Sequence, residues 1–267
     1  MQQRTRWTLA AVAIAAAAVS LWFLFSPKEQ QGGKTVAVAV ASNMKFAFED
    51  ITAAFKKEHP EITVTASYGS SGNFYAQLSN RAPFDLFLSA DIEYPNKLSE
   101  QKLILPGSQF IYAVGELVIW VPTGSPLDLS LGIRALLDSS VRHIAVANPE
   151  HAPYGRAAIA ALTNSGIYDQ VKPRLIYGDN ITQTAQFVQT GAADVGIIAL
   201  SLVVAPAMRN AGKYLPIPLE QYPRLEQAGV ILNWAADPES AQLLRAFITG
   251  PRGKEILHQY GFSAPEG

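Results

Sequence analysis

The run Thr35-Val36-Ala37-Val38-Ala39-Val40-Ala41 constrains this chain most, because seven small or β-branched residues without polar alternation describe a strand covered on both faces. Such a strand belongs to a parallel sheet, and parallel strands need crossover helices. One follows at once. Ser42-Asn43 are residue types that favour a helix start, and Met44, Ala47, Phe48, Ile51 and Phe55 then recur at helical spacing until His59-Pro60 ends the segment.

The strand-turn-helix unit repeats. Ile62 to Tyr68 is strand-like, Gly69-Ser70-Ser71-Gly72 is a turn, and Phe74 and Leu78 lie on a helix that ends near Arg81-Ala82-Pro83. Asp85 to Ala90 is a third strand. His143 to Ala147 is another, and Pro153 sits where an N1 proline begins the helix Tyr154 to Leu162. Arg174 to Tyr177, the N-cap Asn180, the helix Ile181 to Gln189 and the buried strand Asp194 to Leu200 complete an open α/β pattern. Two long apolar runs interrupt it, Ile111 to Val121 and Ala228 to Trp234, the second followed by helices over Ser240 to Ile248 and Gly253 to Tyr260. They read as a pair of strands crossing between two lobes. The boundaries are placed at 34–112 plus 229–267 for a discontinuous first lobe and 113–228 for a continuous second one, with a ligand in the cleft between them.

Residues 1–33 differ from the rest. Leu9 to Phe25 carries no charge and follows Arg4 and Arg6, the pattern of an export signal, and its 17 residues lie near the lower limit for crossing a bilayer. Ala16 and Ala18 offer a cleavage site, but Leu21-Trp22-Phe23-Leu24-Phe25 would then begin the mature chain. An uncleaved anchor is the preferred reading. The two arginines place the body outside the cytoplasm, and Ser26 to Lys34 is a short linker with Pro27 and Gly32-Gly33. Cysteine is absent from all 267 residues, which excludes a lipid-modified N-terminus, a disulfide framework and zinc–thiolate sites. With a formal net charge of −1, nothing draws the chain to nucleic acid. Residues 29–267 hold 18 basic against 22 acidic side chains, so an anionic partner would have to be held locally.

Enzyme motifs are missing. Gly69-Ser70-Ser71-Gly72-Asn73 falls one position short of a nucleophile elbow, and His59, His143, His151 and His258 are scattered with no pair four apart, each reading as a lone surface histidine. An exported serine hydrolase using Ser71 or Ser42 stays open as a rival. What stands out is a set of helix starts at Ser42-Asn43, Ser70-Ser71, Pro153-Tyr154 and Asn180-Ile181, all at strand-to-helix turns. Free backbone N–H groups and the helix dipole attract anions there, at the edge where open α/β sheets bind ligands. The plainer alternative is that these serines and asparagines only cap helices. A fully deprotonated oxyanion needs donors alone, whereas hydrogen phosphate needs an acceptor. Ser42-Asn43 and Gly69-Ser70-Ser71-Gly72 contain no acidic residue, although Asp179 and Glu150 lie near the other two turns, so phosphate is disfavoured. Arg156 is the only cation close to a turn tip, and Asp85 and Asp91, flanking a strand end, read as caps or interlobe contacts.

Several of these residues stand in runs that resemble one family. Ala41-Ser42-Asn43 leading into Phe48-Glu49-Asp50-Ile51, Gly69-Ser70-Ser71-Gly72 with Tyr75-Ala76-Gln77, Ala82 to Asp91, Ala147 to Gly155, Asn180-Ile181, and Gly250-Pro251 to Tyr260-Gly261-Phe262 resemble the periplasmic molybdate-binding proteins of ABC transporters. The resemblance runs in order from about Lys34 to Phe262. It implies a two-lobed, type II-like periplasmic binding protein with two crossing hinge strands that captures molybdate and usually tungstate. The N-terminal hydrophobic helix at Leu9 to Phe25 is a departure from the family, most of whose members are released after signal cleavage or carry a lipid. The resemblance implies no catalysis, no cofactor beyond that ligand, and delivery to a membrane permease by a monomer. Carried over by position, the oxyanion contacts fall on Ser42, Asn43, Ser71, Tyr154 and Ile181, with Ala90 a further backbone contact; none is a direct metal ligand. Where one branch of the family has a closing Tyr, this chain has Ala199 after Gly196-Ile197-Ile198, and it carries Tyr154 before Gly155 as another branch does. A sulfate- or phosphate-binding protein is the rival of the same class.

Overall fold

The computed structural model describes residues 34–265, so the expected N-terminal anchor lies outside them. Among the described residues no helix is long and apolar enough to cross a membrane. Two five-stranded sheets organise the chain. The first holds β1 (Lys34–Ala41), β2 (Ile62–Gly69), β3 (Leu86–Ser89), β4 (Phe110–Gly115) and, from far along the sequence, β10 (Leu225–Ile231), in the order β2-β1-β3-β10-β4. The second holds β5 (Leu117–Pro122), β6 (Ile144–Ala147), β7 (Leu175–Gly178), β8 (Val195–Ala199) and β9 (Gly212–Pro216), in the order β7-β6-β8-β5-β9.

The parallel part of each sheet positions the site. β1 runs parallel to β2 and β3, and β6 runs parallel to β7 and β8. At the carboxyl end of β1 a 3-10 turn, Ser42–Met44, leads into α1 (Lys45–Glu58), and β2 leads into α2 (Ser71–Ser79). β3 is followed by α3 (Glu93–Glu100), β6 by α4 (Pro153–Asn164) and β7 by α5 (Ile181–Gln189). Four of the helix starts singled out by sequence therefore lie at carboxyl ends of parallel strands, two in each sheet.

Packing explains why the chain's end returns to the first lobe. Val36, Val38 and Val40 of β1 are buried with Phe48, Ile51 and Phe55 of α1, and the same cluster takes in Leu244 and Ile248 of α6 (Pro238–Thr249) and Ile256 and Leu257 of α7 (Pro251–Gln259). Each such side chain contributes about 1.5–3 kcal/mol by leaving water. In the second lobe Ala157, Ala158 and Ala161 present a small-residue face of α4 to a core that includes Trp120, Ile144, Val146 and Ile197. Short side chains let that helix lie close to its sheet.

The structure departs from the sequence reading at the crossing. Ile111 to Val121 is not one strand: β4 ends at Gly115, and β5 begins at Leu117 in the other sheet. The break at Glu116 is invisible to hydrophobic pattern because the strands on either side are both buried. The return strand β10 starts at Leu225, three residues before the expected run. The boundaries drawn at 112/113 and 228/229 thus fall inside β4 and β10. Sequence reading also left out α3, a two-turn helix with Pro95 in its first turn, and β9, five mostly exposed residues from Gly212 to Pro216.

Candidate functional site

The two lobes enclose a small cavity between them. Ala41, Ser42, Asn43, Gly69, Ser70, Ser71 and Ala90 line it from the first lobe, and Ala152, Pro153, Tyr154 and Ile181 from the second. All six positions expected to touch an oxyanion are therefore brought together. The space open to the centre of a water-sized sphere is about 10 Å³, on the order of one such sphere and the scale of a small ion, not of an organic ligand. None of the lining residues is Asp, Glu, His, Lys or Arg. A solute there would be held by neutral groups alone.

Those groups are not occupied in capping helices. Neither the turn after Ala41 nor the starts of α2 and α4 has a side-chain cap; only Asn180 caps, accepting from the N–H groups of Thr182 and Gln183 at 3.0 and 3.1 Å. The Ile181 N–H, first in α5, has no intrahelical acceptor by position. At α4 the N1 residue is Pro153, which has no N–H, so Tyr154 supplies the first donor of that helix. The Ser70 hydroxyl oxygen and the Asn43 Oδ1 are buried without a partner among the described residues. Capping, the plainer reading of these residue types, holds at one turn of four.

Ser71 is fully buried, and its Oγ accepts from the Ala90 N–H at 2.9 Å. That bond directs the serine proton elsewhere and engages the Ala90 amide, so Ala90 borders the cavity as the group that orients Ser71 and not as an additional free donor. Carbonyl groups of the first turn are tied to the second lobe: Thr182 Oγ1 donates to the Ser42 carbonyl at 3.1 Å, and Ser201 Oγ to the Asn43 carbonyl at 2.8 Å. Burial pushes the Tyr154 hydroxyl above the ordinary phenol range, so it remains a protonated donor. Its oxygen lies 3.0 Å from Gln227 Nε2 and 3.5 Å from Asn43 Nδ2. Ala199, at the end of β8, is buried and does not line the cavity.

Further contacts close the lobes around the cavity. The Gly72 N–H donates to the His151 carbonyl at 2.8 Å, and Asn73 Nδ2 to Asp179 Oδ1 at 3.1 Å. His151 is not the lone surface residue expected, because its Nε2 lies 2.9 Å from the Asp179 carbonyl and 3.2 Å from Asp179 Oδ1. Arg156 of α4 pairs with Asp91, lies 3.3 Å from Glu93 Oε2 and donates to the Tyr94 hydroxyl at 3.1 Å. Burial pushes the Asp91 carboxyl above the usual aspartate range despite that guanidinium. Desolvation thus opposes the Coulomb gain of the pair. Asp91 is both an interlobe contact and a cap, accepting from the Tyr94 N–H at 3.3 Å, whereas Asp85 stays within its lobe, accepting from the N–H groups of Ala37 and Ala236. Sequence reading missed Gln227, Thr182 and Ser201. They lie far along the chain from the turns they bind and carry no motif.

Comparison with known proteins agrees with this geometry. Residues 36–263 match the family described as bacterial extracellular solute-binding protein. A molybdate-binding protein ModA of Azotobacter vinelandii is 37% identical over 227 residues, which cover 85% of this chain and 89% of that protein. One from Rhodobacter capsulatus is also 37% identical, covering 85% and 87%. Among solved structures, the Azotobacter vinelandii periplasmic molybdate-binding protein superposes with a TM-score of 0.81 at 33% identity, over 86% of this chain and all of that one. With an exported two-lobed α/β body whose lobes meet over a small uncharged cavity, and with the family match spanning nearly the whole of it, this chain belongs to the bacterial extracellular solute-binding proteins.

Proposed function

We propose that this protein captures molybdate, and tungstate with it, in the interlobe cavity and delivers the ion to the membrane permease of an ABC transporter. The observation that carries the reading is a cavity of ionic size set at four helix starts and lined by no charged side chain. A fully deprotonated tetrahedral dianion suits donors without acceptors. Ser42, Asn43, Ser71, Tyr154 and Ile181 supply them through amides and hydroxyls, and Ala90 acts through Ser71. The relatives bearing the molybdate-binding name support the same ion. The protein works as a monomer outside the cytoplasm, held to the membrane by Leu9 to Phe25, with no cofactor besides the transported ion. It is a solute-binding protein and not an enzyme, in keeping with its relatives. The bonds at Ser71 involve no histidine, and His151 is engaged with Asp179.

A ligand that binds only the folded, closed form stabilises it by about 2.7 kcal/mol at a hundredfold excess over the dissociation constant. Molybdate and tungstate should therefore raise the melting temperature clearly in a thermal-shift assay, and equimolar sulfate or phosphate should not. Amides fixed on helix starts cannot contract around the smaller sulfate, so each contact loses part of the ~1.5–3 kcal/mol of a charged-group hydrogen bond. Equal shifts for sulfate and molybdate would replace this reading with the sulfate-binding one.

The Arg156 contact predicts a pair of variants. Arg156→Met leaves the Asp91 carboxylate, only 13% exposed, without its cation when the lobes close. Molybdate affinity should fall by about tenfold, equivalent to roughly 1.4 kcal/mol. Adding Asp91→Asn removes the stranded charge and should recover most of the loss in calorimetric titration. If the second change deepens the loss, the pair is not acting as a closing contact.

A further inference from the structure

Gln227 is completely buried, yet no oxyanion contact was expected of it. It sits on β10 at the point where the β10–β4 register shifts, between Gln227 and Ala228. Such a bulge re-aims a side chain out of the regular ladder. The amide lies under the cavity, among side chains from both lobes. Its Oε1 is 2.9 Å from Asn43 Nδ2 and 3.2 Å from the Tyr112 hydroxyl, and its Nε2 is 3.0 Å from the Tyr154 hydroxyl. Gly115 makes room for this cluster, since a Cβ there would lie 2.1 Å from the Tyr154 hydroxyl and 2.4 Å from Gln227 Nε2.

The protons of this cluster can be counted. Tyr112 and Tyr154 are both buried phenols raised above their ordinary range by desolvation, so each carries one proton. Tyr112 stands 2.8 Å from the Ser89 carbonyl, which can only accept. Its proton goes there. With the Gln227 oxygen next to Tyr112, two oxygen atoms then face each other at 3.2 Å without a proton between them. The Asn43 Oδ1, at the end of its amide turned away from Gln227, has no partner in this arrangement. Exchanging O and N in both amides puts a proton between Gln227 and Tyr112 and turns the unpartnered Asn43 acceptor into an unpartnered donor; the two ends of an amide are told apart by their hydrogen bonds. Gln227 then donates to Tyr112 and to Asn43, accepts from Tyr154, and leaves the Asn43 NH₂ group free.

We propose that Gln227 is a positioning residue for anion binding: the chain Ser89 carbonyl, Tyr112, Gln227, Asn43 fixes the Asn43 amide with its NH₂ toward the cavity. The inference rests on the oxyanion reading of that cavity. Its consequence is selectivity, because the Asn43 amide then presents a donor and no acceptor to the cavity, which favours a fully deprotonated anion over one such as hydrogen phosphate that must also donate a proton. The same side chain joins Asn43 of one lobe to Tyr154 of the other, so anion contact and lobe closure share one amide.

The test uses the purified full chain, with molybdate titrated calorimetrically into wild type, Gln227→Glu and Gln227→Leu, and unliganded melting recorded for each. Glutamate has the same shape, but its carboxylate cannot donate to Asn43. Gln227→Glu at about pH 8 should lose between about tenfold and about a hundredfold in affinity, the range for one misdirected hydrogen bond to a charged ligand. A buried carboxyl protonates well above its ordinary value and regains a donor, so affinity should recover towards about pH 6, with no comparable change in wild type. Gln227→Leu should lose affinity without that recovery. Wild-type affinity in both variants, or a Gln227→Glu loss that does not respond to pH, would overturn the inference. Failure of wild type to bind molybdate would instead defeat the oxyanion reading on which it rests.

Discussion

Ser71→Asp should abolish molybdate binding while the protein stays folded. Ser71 is the first residue of α2 and fully buried at the cavity, with its oxygen held by the Ala90 N–H. A carboxylate there would meet the ligand charge at close range. Two unit charges ~4 Å apart repel by about 4 kcal/mol at an effective dielectric near 20, so a thousandfold loss is a lower estimate for a dianion. The fold should survive because a carboxylate at a helix start accepts the free N–H groups and suits the dipole. Circular dichroism and titration read the two halves of this expectation. Normal binding by the variant would remove Ser71 from the site.

Gly72→Ala is expected to hold the lobes apart. A Cβ at Gly72 would lie 2.5 Å from the Tyr94 hydroxyl, 2.7 Å from the His151 carbonyl oxygen and 2.8 Å from the His151 Cα. The tyrosine can turn aside, but the His151 backbone belongs to the opposite lobe and yields only if that lobe moves away. Closure and anion affinity fail together, by a hundredfold or more if closure is blocked by about 3 kcal/mol. Alanine is meanwhile the better helix former by up to about 1 kcal/mol. The unliganded melting temperature should therefore hold or rise. Small-angle scattering with saturating molybdate should show wild type more compact than the variant. A variant that compacts and binds like wild type would place the closing contact elsewhere.

Both variants fall in runs that could be read from sequence, and the reason is local. Thr35 to Ala41 announces a doubly covered strand, and Ser42-Asn43, Ser70-Ser71, Pro153-Tyr154 and Asn180-Ile181 follow their strands within a few residues. Their convergence is a property of parallel topology, since turns at carboxyl ends share one edge. What could not be read is non-local. Gln227 lies 184 residues from Asn43, and Ser201 lies 158 from the carbonyl it binds. The break at Glu116 is hidden because β4 and β5 are both apolar and differ only in which sheet they join. Ala90 shows the limit of transferring a contact by position: its amide is in place, but Ser71 takes it.

The central claim is that neutral donors from both lobes hold a fully deprotonated tetrahedral anion in the interlobe cavity. Calorimetric titration of the purified protein with molybdate, then with sulfate, tests it most directly. The account predicts saturable one-to-one binding of molybdate and a far weaker response to sulfate. Absence of molybdate binding, or equal affinity for the two ions, would contradict it.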